Sequence, residues 1–344
     1  MSITAADINS LKNARVLVTG GGGFLGKAII KRLLGYTPNI RSLGRNRYPE
    51  LDALGVEQIQ GDISDALAVE RACQERDFVF HVAAKTGIWG VYQDFYDTNV
   101  TGTHNIVKAC QHHDISSLIY TSSPSVVYHD DADIMGVDES APYPEHYQTY
   151  YQKTKALAEQ VVVQASDTSL NTIVLRPHLI WGPGDTQFVP RIIQRAKANA
   201  LRQVGDGKNR IDTTFIDNAA QAHVLAAEKL CENRHLSGNI YFISQGEPIY
   251  LWDMVNHILT AASQKPVTKT IPKNVAYAIG YIMEMVYKGL GIRSEPRMTR
   301  FLANELARHH WFDISAARKD LGYVPEVSMA DGLKQLKDWM DTWN

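Results

Sequence analysis

The chain has 344 residues, a formal net charge of −2, 44% hydrophobic and 21% charged residues. That length exceeds what one core usually fills, so one large domain with a smaller lobe, or two domains, is expected. The near-balance of charge gives no support for a nucleic-acid partner. Cys73, Cys110 and Cys231 are too scattered for a disulfide frame or a zinc site and read as free thiols in a reducing cytoplasm. The opening MSITAADINS has neither a basic nor an apolar stretch, so no secretory signal is expected.

Residues 15–19 (RVLVT) form a short valine-rich run, the pattern of a parallel strand buried on both faces. It leads into Gly20, Gly21, Gly22, Gly23, Phe24, Leu25 and Gly26, and a helix is predicted over 24–34. Gly20, Gly23 and Gly26 are spaced GxxGxxG. The first permits a tight turn, the second lets backbone approach a pyrophosphate, and the third lets the helix pack on the strand. The phosphates would rest on free N–H groups at the helix start. The loop therefore predicts a dinucleotide ligand.

Further strands are predicted at 39–43, 56–60, 77–82, 117–122 and 171–175, with helices at 66–75, 95–112 and 148–165. That alternation means a doubly wound parallel α/β sheet, with ligands bound at the carboxyl ends of its strands. In the predicted helix 148–165, Tyr151 and Lys155 are four residues apart and share a face. A phenol of pKa about 10 is a poor acid–base catalyst at neutral pH. A neighbouring ammonium, together with a positive nicotinamide ring, would lower that pKa.

Beyond Pro177 a turn-rich loop at 181–185 precedes a predicted helix at 189–199 and a glycine loop at 205–207. A strand at 210–215 and a helix at 217–230 follow, with Asp217 as its expected cap. The remaining C-terminal third reads as mostly helical. These segments predict a nucleotide-binding domain over 1–179 plus about 211–244, and a substrate lobe over 180–210 plus 245–344. The most apolar stretch, 275–283, is broken by Glu284 and Lys288 before reaching the roughly 18 residues that cross a membrane. Ile279, Ile282, Met283, Val286 and Leu290 recur at helical spacing and are expected to pack on the core. A greasy lid, or a membrane-surface helix serving a lipidic substrate, is the other reading.

TGGGGFLG (19–26), GDI (61–63), HVAAK (81–85), NVTGT (99–103), YTSS (120–123), YQKTK (151–155) and LRPHLIWGPGD (175–185) occur in one order. In that set, and in FDISAARKDLGYVP (312–325), the chain resembles extended short-chain dehydrogenases/reductases with a Rossmann domain, over nearly its whole length. Within them it is similar to the 3β-hydroxysteroid dehydrogenase branch. TSSPSVVY (121–128) and VGDGKNRIDTTFIDNAAQAH (204–223) bring it nearer to bacterial 2-alkyl-3-oxoalkanoate reductases of long-chain olefin synthesis.

The resemblance implies Tyr151 as general acid, Lys155 as holder of the nicotinamide ribose, and Ser123 as hydrogen-bond partner of the substrate oxygen, with Ser122 as runner-up. It implies cofactor contacts from Asp62 and Ile63, from Ala83, Ala84 and Lys85, and from Asn99 and Pro177. Asp62 also reads as a helix cap, and Asn99 as a buried structural amide. NAD-dependent relatives carry an acidic residue after the second strand, where this chain has Leu43, Gly44, Arg45, Asn46 and Arg47. A guanidinium pairs a 2′-phosphate bidentately, so NADP(H) is expected with Arg45 as its reader. NAD is the alternative, with Arg45 a solvated loop charge.

The implied substrate is a long, apolar 3-oxo acid. A steroid or sterol-4-carboxylate 3-dehydrogenase, a nucleotide-sugar epimerase and a non-catalytic cofactor sensor are the competing readings. A homodimer on the helices at 95–112 and 148–165, and membrane or multi-enzyme association, are further expectations. No metal is expected: His112–His113 and His309–His310 are adjacent in sequence and have no acidic partner at ligand spacing. His178, Trp181, Asp185 and Arg210 fall in the family's substrate loops.

Overall fold

The computed structural model describes residues 10–129, 132–166 and 170–342. The stretch at 1–9, read above for targeting signals, lies outside them. In chain order the first half runs β1 (Val16–Thr19), α1 (Phe24–Leu33), β2 (Ile40–Gly44), α2 (Pro49–Ala53), β3 (Glu57–Gln60) and α3 (Ala66–Cys73). Then come β4 (Phe78–His81), α4 (Tyr92–Tyr96), a π-helical turn at Asp97–Thr101, α5 (Gly102–His112), β5 (Ser117–Thr121) and a 3₁₀ turn at Pro124–Val127. β6 (Ile134–Val137), α6 (Tyr150–Ala165), β7 (Asn171–Pro177), β8 (Ile180–Trp181) and α7 (Phe188–Lys197) follow.

The rest is β9 (Gln203–Val204), β10 (Arg210–Ile211), β11 (Thr214–Phe215), α8 (Ile216–Glu232), β12 (Ile240–Ile243), β13 (Ile249–Tyr250) and α9 (Leu251–Ala261). It ends in β14 (Thr270–Ile271), α10 (Lys273–Gly289), α11 (Arg300–Glu305), β15 (His310–Phe312), α12 (Ser315–Leu321) and α13 (Met329–Asp341).

Seven strands form one sheet in the order β12-β7-β5-β4-β1-β2-β3, every pair parallel. Successive side chains leave a strand on opposite faces. In β1, Val16 and Val18 accordingly enter the core under α1 and α8, while Leu17 enters a second core under α3, α5 and α6. The sheet is doubly wound, and strand order reverses direction between β1 and β4. That switch point is where such sheets bind ligands. A second sheet, β13-β10-β15-β6, joins one strand from the first half of the chain to strands from the C-terminal part.

Several expectations are corrected. The run at 210–215 is two short strands in different sheets, β10 beside β15 and β11 beside β8. Between them the buried Asp212 carboxylate turns away to accept from Phe312 N–H and to bond His178, which interrupts pairing. Asp217 lies in the first turn of α8, whose N-cap is Phe215. The helix expected at 95–112 starts earlier, at Tyr92, and widens into the π turn. The helix expected from 148 starts at Tyr150, because Thr149 and Gln152 close a reciprocal capping box.

The segment at 275–290 is helical, but its large apolar residues do not pack on the core. α10 buries only Ala276, Gly280 and Glu284, a stripe at i, i+4 and i+8. A Cβ on Gly280 would lie 2.5 Å from the Thr299 carbonyl carbon, and the Glu284 carboxylate accepts from Arg300 N–H at 2.7 Å and Nε at 2.9 Å. Ile279, Ile282, Val286 and Leu290 face outward. Small residues and one paired carboxylate seat this helix closely, so the large side chains have no core to enter.

Candidate active site

The glycine loop crosses the switch point. Gly20 has φ +70°, donates its N–H to Leu43 O at 2.8 Å, and a Cβ there would stand 3.0 Å from Ala83 Cα. A side chain on Gly26 would run into the Gly20 carbonyl, so α1 meets β1 only because this residue is glycine. Gly23 is the N-cap of α1, without a side-chain cap, and no acidic residue sits in the first turn. The amides of that turn, from Phe24, Leu25 and Gly26, have no intrahelical acceptor. This is an anion-ready helix start, and it fits the pyrophosphate of a dinucleotide.

Around it the candidates fall as follows. The Asp62 carboxylate accepts from Ser64 N–H at 2.9 Å and Ser64 Oγ at 2.8 Å. The cap of α3 is Asp65, not Asp62. Ile63 is buried against Gly102, and its carbonyl accepts from Asn105. The N–H groups of Val82 and Ala83 both donate to Thr19 Oγ1 at 3.1 Å, holding the chain that leads to Ala84 beside the glycine loop.

Asn99, on the π turn, clamps the next residue. Its Oδ1 accepts from Lys85 N–H at 2.7 Å, and its Nδ2 donates to Lys85 O at 3.1 Å and Thr154 Oγ1 at 3.0 Å. The Lys85 ammonium is 3.7 Å from Asp94 and over the Phe95 ring. Pro177 ends β7 in register with Ile243 of β12. Arg45 is exposed, and its side chain has no partner among the described residues. Arg47 beside it is taken up bidentately by Asp52, at 3.0 and 2.9 Å.

Tyr151 and Lys155 stand on the first turns of α6. Burial raises the Tyr151 phenol above its ordinary pKa, and a hydrogen bond with Ser123 draws it back. Ser122 is turned away: its N–H donates to Leu175 O at 2.6 Å and its Oγ is buried without a partner. Lys155 Nζ donates to Tyr120 Oη at 2.6 Å and Thr121 O at 2.7 Å, and lies 4.1 Å from the Tyr120 ring centroid. At Tyr151 burial is a larger influence than the Ser123 hydrogen bond, so the net shift of the phenol is upward. Burial also pushes the Lys155 ammonium down to about 7, with Glu159 opposing.

Tyr120, His81 and Thr19 were not singled out from the sequence. All three lie inside quoted motifs, but their contacts join distant segments. His81 Nδ1 meets Thr19 Oγ1 at 2.8 Å and Nε2 meets Thr103 Oγ1 at 3.0 Å, tying β1, β4 and α5 together behind the site.

The four loop candidates are largely structural. His178 bonds Asp212, Tyr128 Oη at 2.9 Å and His310 at 3.2 Å in a buried network. Trp181 is buried and donates to Thr213 Oγ1 at 3.1 Å. Asp185 accepts from the N–H groups of Gln187, Phe188 and Val189 at the start of α7. Arg210 is exposed and lies over the Tyr250 ring. The argument against an acidic partner for His112 and His113 is also corrected. Glu70, reaching across from α3, meets their ring nitrogens at 3.0 and 2.8 Å and forms with them a cluster of metal-ligand types. It lies on the α3–α5 surface, away from Tyr151.

A cavity of about 870 Å³ opens at the N-terminus of α6, touching Thr149 and Tyr150. Its walls are mixed: Trp89, Val91, Tyr287 and Phe301 contribute apolar surface, Gln148, Thr149 and Glu284 polar surface, and Lys288 and Arg293 positive charge. Trp89 pins the wall formed by the loop after β4, donating its indole N–H to Ile292 O at 3.1 Å.

Comparison with known proteins agrees with this geometry. The model of the 3-beta hydroxysteroid dehydrogenase/isomerase family matches residues 17–272. The chain belongs to that family. It is 48% identical over 325 residues to a 2-alkyl-3-oxoalkanoate reductase of Stenotrophomonas maltophilia, covering 94% of this chain and 98% of that one. It is 44% identical over 342 residues to a 2-alkyl-3-oxoalkanoate reductase of Shewanella oneidensis, covering 97% and 88%. Among solved structures, that of gox2253 aligns with a TM-score of 0.79 at 27% identity, covering 96% of this chain and 99% of the other. The protein is an NAD(P)-dependent oxidoreductase of this family acting on CH–OH groups, and a reductase of the kind its relatives are named for.

The buried histidines give a pH prediction. Burial holds His81 and His310 at about 3 and His223 at about 4. Below the ordinary histidine pKa of about 6.5 the unfolded chain takes up protons that the folded chain refuses. Stability should therefore fall as pH drops from about 6.5 towards 3. Urea midpoints measured down that range check this, and a flat profile would contradict it.

Proposed function

We propose that the protein reduces the 3-oxo group of a long-chain 2-alkyl-3-oxoalkanoate to the 3-hydroxy acid with NADPH, in olefinic hydrocarbon biosynthesis in the cytoplasm. The observation that carries the substrate class is near-full-length similarity to two reductases so named. The aromatic and aliphatic part of the cavity wall suits an alkyl chain, and Lys288 and Arg293 suit its carboxylate.

Bound at the α1 start, NADPH supplies the hydride. Tyr151 donates its proton to the oxo oxygen as the negative charge develops there. Ser123, hydrogen-bonded to Tyr151, orients that oxygen. Lys155 has spent two of its three N–H donors on Tyr120 and Thr121, which leaves the third for the cofactor ribose. Asn99 and Thr19 hold the loops on either side rigid.

Arg45 supports the preference for NADPH, since a free guanidinium at the end of β2 suits a 2′-phosphate. Arg45→Asp should reverse the NADPH:NADH ratio of kcat/KM by one to two powers of ten, roughly 1.4–3 kcal/mol. An unchanged ratio removes Arg45 as the selector. The substrate reading is tested by NADPH oxidation against a long-chain 2-alkyl-3-oxo acid, a 3-ketosteroid and a UDP-sugar. Turnover confined to the steroid would replace this reading with a steroid 3-dehydrogenase.

A further inference from the structure

We infer that Glu70, His112 and His113 form a site for a divalent transition-metal ion such as zinc, at the edge of the sheet opposite the glycine loop. The carboxylate reaches across from α3, and one of its oxygens, Oε2, lies 3.0 Å from His112 Nδ1 and 2.8 Å from His113 Nε2. The three donor atoms all lie within 4.8 Å of one another. Donors held about 2.1 Å from a tetrahedral zinc ion stand about 3.4 Å apart, so small side-chain movements admit the ion.

A regular helix would send the two rings apart, because neighbours on it point about 100° from each other. Two local features bring them together. α5 ends at His112, and His113 is its C-cap, with φ −97° and ψ 13°. The rings also present different nitrogens, the near Nδ1 of His112 and the far Nε2 of His113. Their centroids are 4.8 Å apart, so the difference in reach offsets the difference in direction.

Electrostatics favour a cation here. Helices of a doubly wound sheet run against their strands, so the carboxyl ends of α3 and α5 collect at the strands' amino edge, away from the cofactor. Helix C-termini carry partial negative charge, and the Glu70 carboxylate adds to it. The donor types choose the ion. Two imidazoles and a carboxylate suit zinc, nickel or cobalt, whereas calcium and magnesium take oxygen ligands. The His112 side chain is 71% exposed, which leaves the remaining coordination position to water.

The ion would staple α3 to α5. The segment leading into α3 is already tied to α5 by Asn105, which donates to the Ile63 and Ser64 carbonyls at 3.0 Å. Exposed hydrogen-bonded pairs add little stability by themselves, so the convergence of both rings on one oxygen is better explained by a shared ion. The inference stands on these three residues and does not depend on the substrate or cofactor reading above.

The test is titration of the untagged, chelator-stripped full chain with zinc ion against a chromogenic chelator, together with urea unfolding with and without zinc. One ion per chain, bound with a dissociation constant of about 1 μM or below, is expected. The urea midpoint should rise with zinc, since an ion that binds the folded chain stabilises it. His112→Gln with His113→Gln should weaken binding by about a hundredfold and remove the midpoint shift. Glu70→Gln, which keeps an oxygen acceptor, should weaken it independently. Cooperative unfolding of both variants without zinc shows that they are folded. Cobalt in place of zinc should give no thiolate charge-transfer band, which separates this site from the half-buried Cys231. Absence of stoichiometric binding by the wild-type chain, unchanged affinity in the folded variants, or a cobalt–thiolate band would each overturn the proposal.

Discussion

Tyr151→Phe should lower kcat for the reduction by roughly two to four powers of ten, the usual contribution of a positioned general acid. The substitution removes one oxygen from a half-buried ring. Lys155 keeps Tyr120 and Thr121, and the glycine loop is untouched, so NADPH affinity should change little. Ser123 loses its hydrogen bond to the phenol but keeps Ser125 Oγ at 2.9 Å. Single-turnover rates and NADPH fluorescence titration separate the two quantities. A kcat within a factor of about three of wild type would remove Tyr151 as the acid, since loss of a general acid costs at least about a hundredfold.

Glu159→Gln should destabilise the fold by about 3–5 kcal/mol, the cost of leaving one member of a buried ion pair without its counter-charge. Glu159 is fully buried one turn beyond Lys155, and accepts from Arg176 Nε at 3.1 Å, Arg176 Nη2 at 2.5 Å and Tyr143 Oη at 2.7 Å. Arg176, equally buried, already has one Nη1 without a partner, and stacks its guanidinium over Phe242 at 5.1 Å. The pair locks α6, which carries Tyr151 and Lys155, to β7. Glutamine keeps the shape but removes the charge. Urea unfolding measures the loss. The double substitution Glu159→Leu with Arg176→Met should recover most of it, because removing both charges also removes the desolvation cost. A single variant within about 1 kcal/mol of wild type would mean that water reaches Arg176.

What could be read from the chain alone follows from where each interaction lies in sequence. The loop from Gly20 to Gly26 was legible because local backbone geometry demands its glycines: Gly20 for its positive φ and its closeness to Ala83, Gly26 for its contact with the Gly20 carbonyl. Buried parallel strands were legible as short apolar runs. β12 has such a run too, IYFI, but its place at the sheet edge beside β7 depends on a pairing some 65 residues distant. The partner of Lys155 was hidden for the same reason. Spacing puts Tyr151 on its helix face, while Tyr120 arrives from β5 by tertiary packing.

For α10, periodicity revealed a stripe of large apolar residues but not its direction. The side that is buried carries Ala276, Gly280 and Glu284, residues that a hydrophobicity pattern ranks low. The split of 210–215 into two sheets was likewise set from outside, by His178 and Phe312 reaching Asp212.

The account rests most directly on where hydride and proton go. Reduction of a 2-alkyl-3-oxo acid with NADPH carrying deuterium at the transferring position of nicotinamide C4, followed by mass spectrometry of the product, reads this out. One deuterium at C3 of the hydroxy acid, formed by the wild-type chain and formed roughly two to four powers of ten more slowly with Tyr151→Phe, is the predicted result. Deuterium elsewhere in the product, or an equal rate of labelling by the phenylalanine variant, would contradict it.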